Sequence, residues 1–189
     1  MTSHAKEGNE FKYVSRISRL PIELGKVTCA INGQHVELSN GAVKESYVVH
    51  DAIEVTCGSD GIQCHLRETH AKQKEQLGTA YRNLANIVIG LTTGFSKTLK
   101  LVGVGYKVEQ QGQKLIIKLG KSHDDIIEVP ADMKVNCPDV RTIEISGVNK
   151  QKVGHMCAEI IKLRPPDAYH AKGVQMVGRH YSQKEVKKS

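Results

Sequence analysis

The sequence predicts an α+β protein of two similar units, each a small, mostly antiparallel sheet packed on one main helix, followed by an extended basic C-terminal tail. Three observations lead there. The residue pattern changes twice from strand-like alternation to a helical stripe. Glycine-bearing turns separate the strand-like pieces. The apolar residues are aliphatic, with no Trp and only 4% aromatics, so Val, Ile and Leu must build the core. A chain of 189 residues has room for two units of roughly 80 residues each.

In the first half, VTCAING, HVELSN, VKESYVV, AIEVTC and IQCHL are short strand-like pieces. Gly33, Asn40-Gly41 and Asp60-Gly61 stand between them at turn positions. Residues 71–94 then take a helical period, with Leu77, Tyr81, Leu84, Val88 and Leu91 on one stripe and Gly94 suited to the C-terminal end. The second half repeats the order: TLKLVGVGYKVEQ, KLIIKL, DIIEVP, MKVNC and TIEIS, then the helix NKQKVGHMCAEIIKLR. Val153, Met156, Cys157, Ile160 and Leu163 form its buried side, and Pro165-Pro166 ends it. The expected divisions are an N-terminal extension over 1–14, a first unit over 15–95, a second over 96–166, and the tail over 167–189. The tail has neither period, and a partner is expected to order it. Both helices end before Pro165, so removal of 164–189 is expected to leave a folded body.

The formal net charge of +7 is unevenly placed. Residues 164–189 carry Arg164, Lys172, Arg179, Lys184, Lys187 and Lys188 against Asp167 and Glu185; residues 1–20 carry Lys6, Lys12, Arg16 and Arg19 against Glu7 and Glu10. Basic ends on a nearly neutral body suit a polyanion partner. No apolar run approaches the roughly 18 residues a membrane helix needs, and the first residues lack the apolar segment of a signal peptide. Neither secretion nor membrane spanning is expected. The five cysteines contain no CxxC pair, and Cys29, Cys137 and Cys157 fit as reduced core thiols in a reducing compartment.

Other chemistries find little support. Cys64, His65 and His70 form the one cluster to test for metal, but adjacent strand residues face opposite sides, so no metal site or cofactor is expected. His123-Asp124-Asp125 is the best acid–base candidate, yet it lies in a turn, where Asp serves backbone hydrogen bonding. No GxSxG elbow surrounds Ser122. LVGVGYK resembles a phosphate loop only superficially, since Gly103 and Gly105 alternate with Val102, Val104 and Tyr106 inside a strand pattern, where they permit close approach or a bulge. No catalytic residue is assigned, and the chain is not expected to be an enzyme.

The C-terminal constellation carries the clearest functional signal. Arg164 leaves the helix, the prolines stiffen the exit, and Tyr169, His170, Lys172 and Gly173 follow. Arg pairs bidentately with phosphate, Lys adds a point charge, and Tyr or His stacks on an unpaired base. Gly173 is expected to let the backbone approach a phosphate ribbon. This favours single-stranded or irregular RNA over the DNA major groove, which takes a basic recognition helix.

SRISRLPIEL, LGTAYRNLANIVIGLTTGFSKTLKLVGVGYKV and VNKQKVGHMCAEIIKLRPPDAYHAKGV, in that order within residues 15–174, resemble the bacterial-type large-subunit ribosomal protein L-six family. The resemblance implies two similar α+β units that hold large-subunit rRNA near the sarcin–ricin region and the stalk base, where translation factors dock, beside neighbouring ribosomal proteins. It implies a structural role in translation, in a cytoplasmic ribosome or alternatively an organellar one. Carried over, the rRNA-binding residues are Arg164, Tyr169, Lys172, Gly173 and the tail's Arg179, Lys184, Lys187 and Lys188, with His170 added for its ring. Lys97, Lys107, Lys121, Lys150 and Lys152 join them on charge alone. An RNA-binding module acting outside the ribosome is the alternative. Three departures stand in the tail: the family's usual Lys, Gly and Arg are replaced by His170, Ala171 and Gln175.

Overall fold

The computed structural model describes residues 18, 20–41, 43–58, 61–67 and 73–185. It is α+β, with antiparallel sheets and two helices. The chain divides into two compact units, one ending at Thr93 and the other beginning at Gly94. Among the described residues no helix is long and apolar enough to cross a membrane.

In the first unit, β1 (Thr28–Asn32), β2 (His35–Asn40) and β3 (Val43–Val48) form one antiparallel sheet in that order. A ribbon of β4 (Ile53–Gly58) and β5 (Gly61–Leu66) lies beside it, with Ile22 bridged to Ile62. Helix α1 (Lys74–Thr92) packs on β2, β3 and β5. Its stripe buries Leu77, Leu84, Val88 and Leu91, with Ala80 added; Tyr81 is only half-buried. Val36, Leu38, Ile53, Ile62 and Cys64 on the strands are likewise near-fully enclosed.

The second unit has a four-stranded sheet in the order β10 (Met133–Asp139), β11 (Thr142–Gly147), β6 (Phe95–Val102), β12 (Gly173–Met176). A three-stranded sheet of β7 (Lys107–Gln111), β8 (Lys114–Lys118) and β9 (Asp125–Glu128) completes it. Helix α2 (Lys150–Leu163) packs on β6, β11 and β12. It starts where the Asn149 side chain accepts hydrogen bonds from the Gln151 and Lys152 amides, satisfying two donors that the first turn leaves unpaired. It stops at Arg164, whose backbone is extended, as the residue before a proline must be. Val153, Met156, Cys157 and Ile160 enter one core with Leu99, Leu101, Leu115, Ile117, Ile143, Ile145 and Val174.

Two expectations are corrected here. TLKLVGVGYKVEQ is not one strand: β6 ends at Val102 and β7 begins at Lys107, with a turn between. A Cβ on Gly103 would lie 2.5 Å from the Tyr106 ring, so glycine lets that ring fold back into the core, where Tyr106 is 5% exposed. The tail is not free after Pro166 either. Residues 173–176 pair with β6 through Gly173↔Val102 and Val174↔Leu101, and Val174 is completely enclosed. Four residues too short to show a period still complete a sheet edge, because a waiting strand supplies the hydrogen-bond partners.

Candidate nucleic-acid interface

Asp167 organises the segment between the prolines and β12. Its amide donates to the Lys172 carbonyl (2.8 Å), its carbonyl accepts from the Ala171 amide (3.0 Å), and its carboxylate accepts from the His170 amide (3.0 Å). The same carboxylate lies 3.1 Å from His170 Nδ1. Hydrogen bonding from the His170 side chain, then from its amide, holds the Asp167 carboxyl below its usual 3.8. The result is a closed loop that presents Tyr169, 51% exposed, and the exposed His170 and Lys172.

Strand pairing brings other loops to this place. Gly173 opposes Val102, so the turn leaving β6 and the loop entering β12 lie at the same end of the sheet. The Arg164 guanidinium donates to the Leu119 carbonyl (2.8 Å) and lies 5.5 Å from the centre of the Tyr106 ring. That pulls the turn after β8 to the same end. Beyond β12 the chain returns, and the Lys184 amide donates to the Ala168 carbonyl at 2.9 Å. Lys107, Lys121, Tyr169, His170, Lys172 and Lys184 are thereby gathered at one end of the second unit.

These cations differ in freedom. Lys121 pairs with Asp125 at 2.9 Å and Lys118 with Asp124 at 3.6 Å, so part of their charge is already answered. The same pairs occupy the carboxylates of the His123-Asp124-Asp125 turn. No carboxylate pairs with Lys107, Lys172 or Lys184 among the described residues. Arg164 is exposed, but one guanidinium nitrogen is already bonded to the Leu119 carbonyl, so it braces the turn after β8. Gly173 is buried, and its Cβ position lies 2.6 Å from the Pro165 carbonyl oxygen. Glycine is needed there for the chain to pass beneath the prolines.

Other sequence-assigned residues lie elsewhere. Lys150 and Lys152 begin α2, about 20 Å of helix away from Arg164. Lys150 sits 5.7 Å from the Phe95 ring centre and Lys152 pairs with Asp132 at 2.5 Å. Lys97 lies beside this first half of the helix, its Nζ 3.9 Å from a Cβ placed on Gly154. Arg179 stacks over Tyr181, whose hydroxyl accepts from the Met176 amide. Lys187, Lys188, the basic residues Lys6, Lys12, Arg16 and Arg19, and His70 lie outside the described residues. Cys64 is fully buried while His65 is exposed on the opposite face, and no group of three or more His, Cys, Asp or Glu among the described residues is placed to hold a metal ion.

One candidate escaped the sequence reading. Val104, 92% exposed in the turn after β6, lies at the same end of the sheet as the loop that enters β12. A strand assignment hid it. The paired glycines around a lone valine were the available signal.

The profile of the family described as Ribosomal protein L6 matches residues 102–176. Over 176 residues, 93% of this chain, it is 35% identical to the large ribosomal subunit protein uL6 of Bradyrhizobium sp. (strain ORS 278) and covers 99% of that protein. It is 37% identical, with the same coverage, to the uL6 of Bradyrhizobium diazoefficiens, and 36% to that of Idiomarina loihiensis. The chain belongs to the ribosomal protein L6 family. The stretch matched by the L6 profile runs from the last residue of β6 to the last of β12, so it contains all three loops of the gathered end. Lys184, which folds back onto Ala168, lies beyond it.

Proposed function

We propose that this L6-family chain is a structural, non-catalytic constituent of the large ribosomal subunit, and that it grips large-subunit rRNA with the end of its second unit. The observation that carries the reading is the convergence of separate loops there. The Gly173↔Val102 register, the Arg164 bond to Leu119 and the Lys184 bond to Ala168 put unpaired lysines beside an exposed Tyr169. Lysines set on a braced surface meet phosphates, and a half-exposed tyrosine ring meets an unstacked base. Lys107, Lys172, Lys184, Tyr169 and His170 are assigned to contact. Lys121 contributes once Asp125 is displaced, and Arg164 and Gly173 position the others. Lys97, Lys150 and Lys152 would serve a second, weaker contact at the start of α2, with Arg179 and the terminal Lys187 and Lys188 extending the basic field.

The finer placement follows the family: rRNA near the sarcin–ricin region and stalk base, neighbouring ribosomal proteins alongside, translation factors docking nearby, and support of translation as the outcome. The two units are proposed as related halves, since each runs from strands to one helix. Co-sedimentation with the large subunit through a high-salt cushion tests the assignment; protein left in the supernatant would point to an RNA-binding role outside the ribosome. Lys172→Ala and Lys184→Ala are each expected to weaken rRNA binding and to flatten the salt dependence by about 0.7–0.9 per lost phosphate contact. Unchanged affinity and slope in both variants would remove this end of the unit as the site.

A further inference from the structure

We propose that Cys29 and Cys57, in the first unit, form an oxidative modification site at which a small-molecule disulfide such as oxidised glutathione converts the two thiols into an intramolecular disulfide. The strands place them. Along β4, Ile53, Val55 and Cys57 share one face, and their partners on β5 are Leu66, Cys64 and Ile62; Ile53, Cys64 and Ile62 are buried. Cys57 is therefore the outermost residue of a core-facing row. Along β1, half-buried Cys29 and Ile31 alternate with exposed Thr28, Ala30 and Asn32, so Cys29 points the same way as Ile31. Strands β1 and β4 pack together without sharing a sheet. Their two inward rows end at the rim, where the Cys29 and Cys57 side chains are neighbours.

The two sulfurs have different surroundings. Cys57 is exposed and Cys29 half-buried, and both are reduced. Burial first, then the neighbouring Cys57, pushes the Cys29 thiol up to about 12, so it stays protonated while Cys57 meets solvent. Order follows from access. Cys57 loses its proton to water and attacks one sulfur of oxidised glutathione; that S–S bond breaks, and one glutathione leaves as a thiolate and takes up a proton. Cys29 then gives up its proton and attacks the Cys57 sulfur of the mixed disulfide, and the second glutathione departs as a thiol. Two protein thiols are oxidised and one glutathione disulfide is reduced to two thiols. Proximity of the two side chains makes the second step intramolecular, which offsets the reluctance of Cys29 to ionise. A pool rich in reduced glutathione runs the same steps backwards, so the bond records an oxidising episode.

The competing acceptor is Cys64, which faces the same way one residue pair further in, opposite Val55, but is completely enclosed. The test treats the full-length folded protein with oxidised glutathione, quenches it by alkylation, and reads the intact mass and a non-reduced peptide map. The expected product has lost the mass of two hydrogen atoms and joins the Cys29 peptide to the Cys57 peptide. Cys29→Ser should stop at a stable glutathione adduct on Cys57, and Cys57→Ser should abolish fast reaction at both positions. A wild-type protein that keeps a glutathione adduct, remains unmodified, or joins Cys57 to Cys64 would overturn the proposal. The wild-type map needs no variant to fold, and its result is independent of rRNA binding.

Discussion

Ala171 has φ of 54°, the left-handed region, and it is the one described residue other than glycine found there. Its amide and carbonyl are both engaged, by the Asp167 carbonyl and the Gln175 side chain, so the loop holds it in place. An L-residue in that region costs roughly 1–2 kcal/mol, and glycine returns about 0.4–1 kcal/mol of this through the entropy of its unfolded chain. Ala171→Gly is therefore expected to stabilise the protein by about 0.5–1 kcal/mol, read as a higher urea midpoint at unchanged slope. Buried Cys64 makes a second residue-scale prediction. Burial pushes its thiol from 9.0 up to about 11. Below pH 9.0 the thiol is neutral in folded and unfolded chains alike; above it the unfolded chain ionises first, so stability is lost as pH rises through about 11. Urea unfolding under reducing conditions at about pH 7.5 and about 10.5 should show that loss, and Cys64→Ala should show a smaller one.

Strand β12 is the element on which structure and sequence differ most. Val174 is wholly enclosed, and the strand supplies the edge of the sheet beside β6. Exposing one such side chain costs about 1.5–3 kcal/mol before any hydrogen bonds are counted. Cutting the chain after Leu163 is thus expected to lower the thermal midpoint or prevent folding, contrary to the expectation from helix ends alone. A chain ending at Glu185 keeps β12 and the Lys184 return, and should melt with the full-length protein. Circular dichroism on the two truncations separates these outcomes. Both helices, by contrast, were legible to within a few residues. A stripe such as Leu77, Leu84, Val88 and Leu91 shows in a linear sequence because one helix buries one face throughout its length. The Pro165-Pro166 stop was equally plain, since proline acts on the backbone locally.

At the level of the molecule, the net charge of +7 and the basic C-terminal run point to a polyanion whatever the fold. Charge alone could not separate Lys172, which has no carboxylate partner among the described residues, from Lys152, which is paired with Asp132, or Arg164, which is already bonded to the Leu119 carbonyl. Those distinctions depend on residues 20 and 45 positions away in the chain. Removing Lys172 is accordingly expected to reduce rRNA affinity more than removing Lys152, measured side by side at one salt concentration. The two-fold run of strands then helix, the aliphatic core and the family motifs were written in local pattern and composition. The closing of the tail into β12, the meeting of the loops after β6 and β8 with Asp167–Lys172, and the placing of Cys29 beside Cys57 were decided by tertiary structure. Periodicity records which face of an element is buried; only the pairing of distant strands decides which ends of those elements come to lie side by side.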